Sequence, residues 1–127
     1  MKIKRIDHIV LTVTNLASAS RFYHEVFDMP ILAETAESHT LRCGHQLIVL
    51  QKVDAKADLK ASHPTSGSAD LCIVAGDKMD DIVNHLKSYF VNIVAGPSQT
   101  SGSEGKMTSV FVRDYDNNLI EVATYKG

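Results

Sequence analysis

The chain has 127 residues, which suits one compact domain with one or two small cores. Its 13 Lys and Arg against 15 Asp and Glu leave a net charge of −2 with no basic stripe, so the electrostatic footprint of a nucleic-acid binder is missing. Apolar residues make up 44%, in runs too short to span a membrane. Met1-Lys2-Ile3-Lys4-Arg5 is not followed by the apolar stretch of a secretory signal, and Cys43 and Cys72 are isolated. These features predict a soluble protein of the reduced cytoplasm without a disulfide framework.

The first predicted element is a strand over Ile6–Val13. Alternation sends Ile9, Leu11 and Val13 to one face and His8, Val10 and Thr12 to the other. Asn15 can cap a helix, in which Ala19, Phe22, Tyr23, Val26 and Phe27 recur with helical spacing. Asp28-Met29-Pro30 ends it, since proline cannot continue a helix. Strands are expected at Ile31–Thr35, His39–Cys43 and Gln46–Val53, with a tight turn at Gly44-His45.

Residues 54–67 are rich in Lys, Ala, Asp, Ser, Pro and Gly and read as a connecting loop. The same order then recurs. Ala69–Ala75 is a strand; Asp77 can cap a helix whose buried stripe is Met79, Ile82, Val83, Leu86 and Phe90. Strands follow at Val91–Val94, Met107–Arg113 and Leu119–Tyr125. Gly96-Pro97 and Ser101–Gly105 read as a mobile loop, and Asp116-Asn117-Asn118 as a turn. The result is a single α+β domain over residues 1–127. It holds two βαβββ modules, about 1–53 and 68–127, forming a curved mixed sheet with helices outside and an inner cleft.

Few residues on the cleft faces could carry chemistry. His8 either ligates a metal or is a histidine hydrogen-bonded at a strand start. Glu121, between Ile120 and Val122, is an expensive carboxylate inside an apolar strand unless it is paired, metal-bound or facing water at an edge. Asp70 stands in the second module where His8 stands in the first, and could equally accept backbone hydrogen bonds in a turn. Gln51 ends the last strand of the first module and is a weak candidate ligand for a hard cation. Arg42 and Arg113 lie in strands, where each could clamp an anionic substrate or simply be solvated. Cys72 lies on the cleft face, and the remaining histidines, 24, 39, 45, 63 and 85, read as surface or loop residues.

Ile6-Asp7-His8-Ile9-Val10-Leu11-Thr12-Val13, Arg21-Phe22-Tyr23 and Arg113-Asp114-Tyr115-Asp116-Asn117-Asn118-Leu119-Ile120-Glu121 together resemble the vicinal-oxygen-chelate superfamily of glyoxalases, bleomycin-resistance proteins and extradiol dioxygenases. Pro64–Cys72 is similar to a glyoxalase-domain-containing, virulence-associated subgroup. The resemblance implies a divalent metal (Zn, Ni, Mn or Mg), with His8 and Glu121 at ligand positions and Asp70 and Gln51 where relatives place histidine or glutamate. Without a second histidine the Fe(II) site of extradiol dioxygenases is not supplied. The expected function is a metal-dependent glyoxalase-like lyase or isomerase on a small oxygenated substrate, with Glu121 as base. The alternatives are a metal-free module that sequesters a small molecule and a fosfomycin-type thiol transferase. Relatives of this length also imply a homodimer.

Overall fold

A computed structural model of the chain describes residues 1–126. The chain divides into two compact units, Met1–Gly67 and Ser68–Gly127. The first contains β1 (His8–Val13), α1 (Leu16–Val26), β2 (Ile31–Glu34), β3 (Ser38–Cys43) and β4 (Gln46–Lys52). The second contains β5 (Asp70–Val74), α2 (Met79–Ser88), β6 (Ala95–Gly102), β7 (Gly105–Arg113) and β8 (Leu119–Thr124). Each unit has its own four-stranded mixed sheet, ordered β1-β4-β3-β2 and β5-β8-β7-β6. The chain leaves β1 through α1, enters at the far edge as β2, and meanders back to β4, which lies parallel to β1. The second unit repeats this path and pairs β5 with β8 in parallel. No helix among the described residues is long and apolar enough to cross a membrane.

The first core follows the predicted periodicity. Asn15 is extended and its Oδ1 accepts the Ser18 N–H at 2.9 Å, satisfying an amide that the first helical turn leaves unpaired. Leu16, Ala19, Phe22, Tyr23 and Val26 are buried on the inner face of α1, which rests on β3 and β4. Phe22 meets Tyr23 and Phe27 edge-on, an arrangement favoured by the ring quadrupoles. Leu11, Val13, Leu41, Ile48 and Leu50 supply the sheet side. Burying each large apolar side chain contributes about 1.5–3 kcal/mol.

In the second unit Met79, Ile82 and Leu86 form the buried face of α2, which contacts β7, and Val110, Val112, Ile120 and Val122 are the buried residues of β7 and β8 on the alternate positions. Four expectations are corrected here. The N-cap of α2 is Lys78, with no side-chain cap; the Asp77 carbonyl instead accepts the Thr124 hydroxyl at 2.7 Å. Phe90 leaves the buried stripe and is 96% exposed. It adopts φ 58° just past the helix, where the Val91 N–H reaches the Leu86 carbonyl and the Phe90 N–H the Lys87 carbonyl. This is the bonding of a Schellman ending, whose left-handed residue is usually glycine. Residues 91–94 form no strand, and the stretch read as a mobile loop is β6, paired with β7 from Ala95 to Gly102. Ala-Gly-Pro-Ser-Gln-Thr-Ser-Gly is poor in strand formers, but an edge strand needs only one partner. The proline falls where the register shifts between Ala95 and Ser98, so no ladder amide is lost. Gly96 has φ 88°, and an added Cβ would stand 2.5 Å from the Ser109 carbonyl oxygen.

Candidate functional site

In both units the residues facing away from the helix carry the candidate chemistry. On the first sheet, pairing aligns His8 with Leu47 and Leu47 with Arg42; the next row on that face is Val10, Val49 and Thr40. On the second, Asp70 aligns with Leu119 and Leu119 with Arg113, and the next row is Cys72, Glu121 and Phe111. The two sheets therefore share one internal register. His8 corresponds to Asp70, Arg42 to Arg113 and Val49 to Glu121.

His8 opens β1 with its side chain half exposed. Its Nδ1 lies 2.8 Å from Asp7 Oδ1. An ionised carboxylate has no proton to give, so Nδ1–H is the donor, and Nε2 is the ring nitrogen left to ligate a metal when it carries no proton. A carboxylate behind a histidine is the common support of a metal-binding imidazole. The hydrogen bond from His8, aided by the charges of His8 and Arg5, holds the Asp7 carboxyl below its ordinary range against desolvation.

Glu121 lies mid-strand in β8 with partial burial, as alternation predicts. It pairs with Cys72 on one side and Phe111 on the other. Its Oε2 accepts the Ser109 hydroxyl at 2.6 Å. Ser109 is fully buried and in turn lies 2.6 Å from the Thr100 hydroxyl. The Cys72 thiol beside it is pushed up to about 11 by desolvation and by the Glu121 charge.

Asp70 opens β5 and is exposed, diagonal to Glu121 on the neighbouring strand. Gln51 pairs with Thr12, four residues beyond the level of His8, or about 13 Å along the sheet. It stands apart from His8, and the position matching Glu121 is Val49. Arg42 and Arg113 are both exposed at the outer ends of their rows, and Arg113 Nη1 donates to the Asn117 carbonyl at 3.1 Å. Among the described residues no three His, Cys, Asp or Glu side chains come together as a cage for a metal ion. His8 and Glu121 nevertheless have the chemistry of ligands: an imidazole with Nε2 left for a metal, and a carboxylate with one oxygen tied back.

The turn before Glu121 is more rigid than its composition suggests. Asp114 Oδ1 accepts the Asp116 and Asn118 amides at 2.9 Å each, and Oδ2 accepts the Asn118 side-chain amide at 2.8 Å. Asn118 Oδ1 then accepts the Ala69 N–H at 2.9 Å, tying the turn to the entry of β5. Asn117 takes φ 64°, a conformation Asn tolerates better than most residues. Sequence reasoning missed Thr100, Ser109 and the role of Asp114, since hydroxyls in strands are common and carry no spacing signal. It also placed His39 on the surface. His39 lies in β3 opposite Leu50, half-buried, with a buried Nδ1 that has no partner.

The family model described as the Glyoxalase/Bleomycin resistance protein/Dioxygenase superfamily matches residues 5–122. A virulence protein of Salmonella typhimurium, STM3117, is 38% identical over 98% of this chain and 87% of its own length. Its crystal structure superposes with a TM-score of 0.93, covering 98% of this chain and 99% of that one. An integron cassette protein of Vibrio cholerae, also 38% identical, has a TM-score of 0.94 and covers 99% of this chain and 98% of that one. A lactoylglutathione lyase of Agrobacterium tumefaciens shares the fold at a TM-score of 0.77 and 23% identity, with coverage of 98% and 96%. By its sequence match from residue 5 to residue 122 and by these relatives, the chain belongs to the glyoxalase/bleomycin resistance protein/dioxygenase superfamily.

Proposed function

We propose that the protein is a divalent-metal-dependent, glyoxalase-like lyase or isomerase acting on a small oxygenated substrate, with His8 and Glu121 as metal ligands. The observation that carries this reading is the paired preparation of the two side chains. The Asp7 carboxylate takes up His8 Nδ1, leaving Nε2 as the nitrogen for a ligand, and Ser109 ties one oxygen of Glu121 back, leaving the other for chemistry. A metal bound by these residues would serve as a Lewis acid toward a substrate carbonyl. A sparse protein ligand set fits an open, reactive centre better than a closed structural one. Glu121 is the residue to accept a proton from the carbon beside that carbonyl. Arg42 and Arg113 would orient an anionic group of the substrate. Superfamily membership and the shared fold of a lactoylglutathione lyase support the reaction class.

The test is metal binding by chelator-stripped protein, titrated separately with Zn²⁺, Ni²⁺, Mn²⁺ and Mg²⁺. The expected result is one tightly held ion per chain, held much more weakly, though still measurably, in His8→Ala and in Glu121→Gln. Protein that takes up no metal at saturating supply would overturn this reading and favour a metal-free module that sequesters a small molecule. The resemblance also implies a homodimer, which we propose as the working state; a light-scattering mass of one chain would refute it.

A further inference from the structure

We infer that Thr100 and Ser109 are positioning residues that set which oxygen of Glu121 is available to the metal and substrate; this rests on the metal-ligand reading above. The direction of the relay follows from proton counting. A carboxylate only accepts, so the single Ser109 proton is committed to Glu121 Oε2. The contact between Thr100 Oγ1 and Ser109 Oγ, also 2.6 Å, must then be donated by Thr100. The chain reads Thr100 O–H to Ser109 O–H to Glu121 Oε2, crossing three strands from β6 through β7 to β8.

The register explains why these residues meet. Ser109 is aligned with Ala123 on β8 and with Ser98 on β6. Glu121 and Thr100 are each two positions away on the neighbouring strands, the diagonal distance that a longer side chain can span. Ala123, directly across from Ser109, carries only a methyl and leaves that position open. Ser109 is fully buried and Ser98 is exposed, so the buried hydroxyl makes the contact. Removing water around Ser109 strengthens the charge-assisted bond, and the second hydroxyl polarises the first. Glu121 is thereby held in one rotamer with Oε2 occupied, and Oε1 is the oxygen presented to a ligand.

The test uses Zn²⁺ alone, competed against a chromophoric chelator on the metal-stripped full chain. Ser109→Ala is expected to weaken zinc binding by about 10–100-fold, the usual effect of removing a group that orients a ligand. Thr100→Val, which keeps the shape and loses the hydroxyl, is expected to weaken it less but in the same direction. Thermal melts of both variants check that the fold is retained. In a Glu121→Gln background, Ser109→Ala is expected to change zinc affinity little, because the carboxylate it serves is gone. An equal loss in both backgrounds would show a general structural effect and overturn the proposal. Zinc binding that falls in Glu121→Gln but not in Ser109→Ala would overturn it while leaving the metal-ligand reading standing. Zinc binding unchanged by Glu121→Gln alone would overturn that reading and this inference with it.

Discussion

Replacing Asp114 by alanine should be among the most costly single changes in the second unit. The carboxylate is buried and accepts hydrogen bonds from the Asp116 amide, the Asn118 amide and the Asn118 side chain. In the alanine variant the Asp116 amide can turn to water, but Asn118 is only 1% exposed and its two donors lose their partner. Each stranded buried donor costs about 1–3 kcal/mol, so the expected loss is about 3–5 kcal/mol. That is a large share of the ~5–15 kcal/mol that keeps a domain folded. Asp114→Asn keeps an oxygen for the two backbone amides but turns an NH₂ toward the Asn118 side chain. It should cost about 1–2 kcal/mol, the loss of one bond and a facing pair of donors. Urea unfolding followed by circular dichroism separates the two, since a slope of ~1–3 kcal/mol per M turns the alanine effect into a midpoint shift of about 2 M. A loss below about 1 kcal/mol in the alanine variant, or equal losses in both, would refute the hydrogen-bond accounting.

Asn15→Ala removes the side-chain cap of α1 and should lower stability by about 1 kcal/mol, read as a fall of about 3–5 °C in Tm; an unchanged Tm would show that the cap is dispensable. Phe90→Gly relieves a left-handed residue whose ring packs on little, and should raise stability by about 0.5–1 kcal/mol, net of the freedom glycine gains in the unfolded chain. A lower Tm in that variant would mean the exposed ring contributes something the backbone strain does not outweigh. With its thiol pushed up to about 11, Cys72 is about 0.1% thiolate at pH 8. Its alkylation in metal-stripped protein should be slow there and rise with pH towards 11. In Glu121→Gln one of the two causes is gone, so the rise should begin at lower pH; an identical profile would exclude the carboxylate as a contributor.

The amphipathic patterns were legible because burial imposes them. The apolar face of α1, the alternation of β1 that turns His8 away from Leu11 and Val13, and the placement of Glu121 between Ile120 and Val122 all follow from residue spacing. β6 was not legible. Its Gly, Pro and Ser residues are those of a loop, and pairing with β7 overrides their local preference. Phe90 kept helical spacing, but the helix ended two residues before it. Counting along apolar runs placed Gln51 at the end of its strand but does not fix register. Hydrogen bonding does, and it matches Val49 to Glu121. Ser109 and Thr100 gave no sign at all, since their meeting depends on two diagonal offsets across three strands.

The equal registers of the two sheets have a consequence for any attempt to rebuild the protein from one of its halves. A tandem of two first halves would offer a pair of imidazoles and two valines where the glutamate belongs. A tandem of two second halves would offer carboxylates alone, with no nitrogen donor at the strand start. Only the unlike pairing brings one nitrogen and one mid-strand carboxylate into the same molecule. The two units share one topology and register, and the chemistry assigned to the chain depends on their sequences differing at two matched positions.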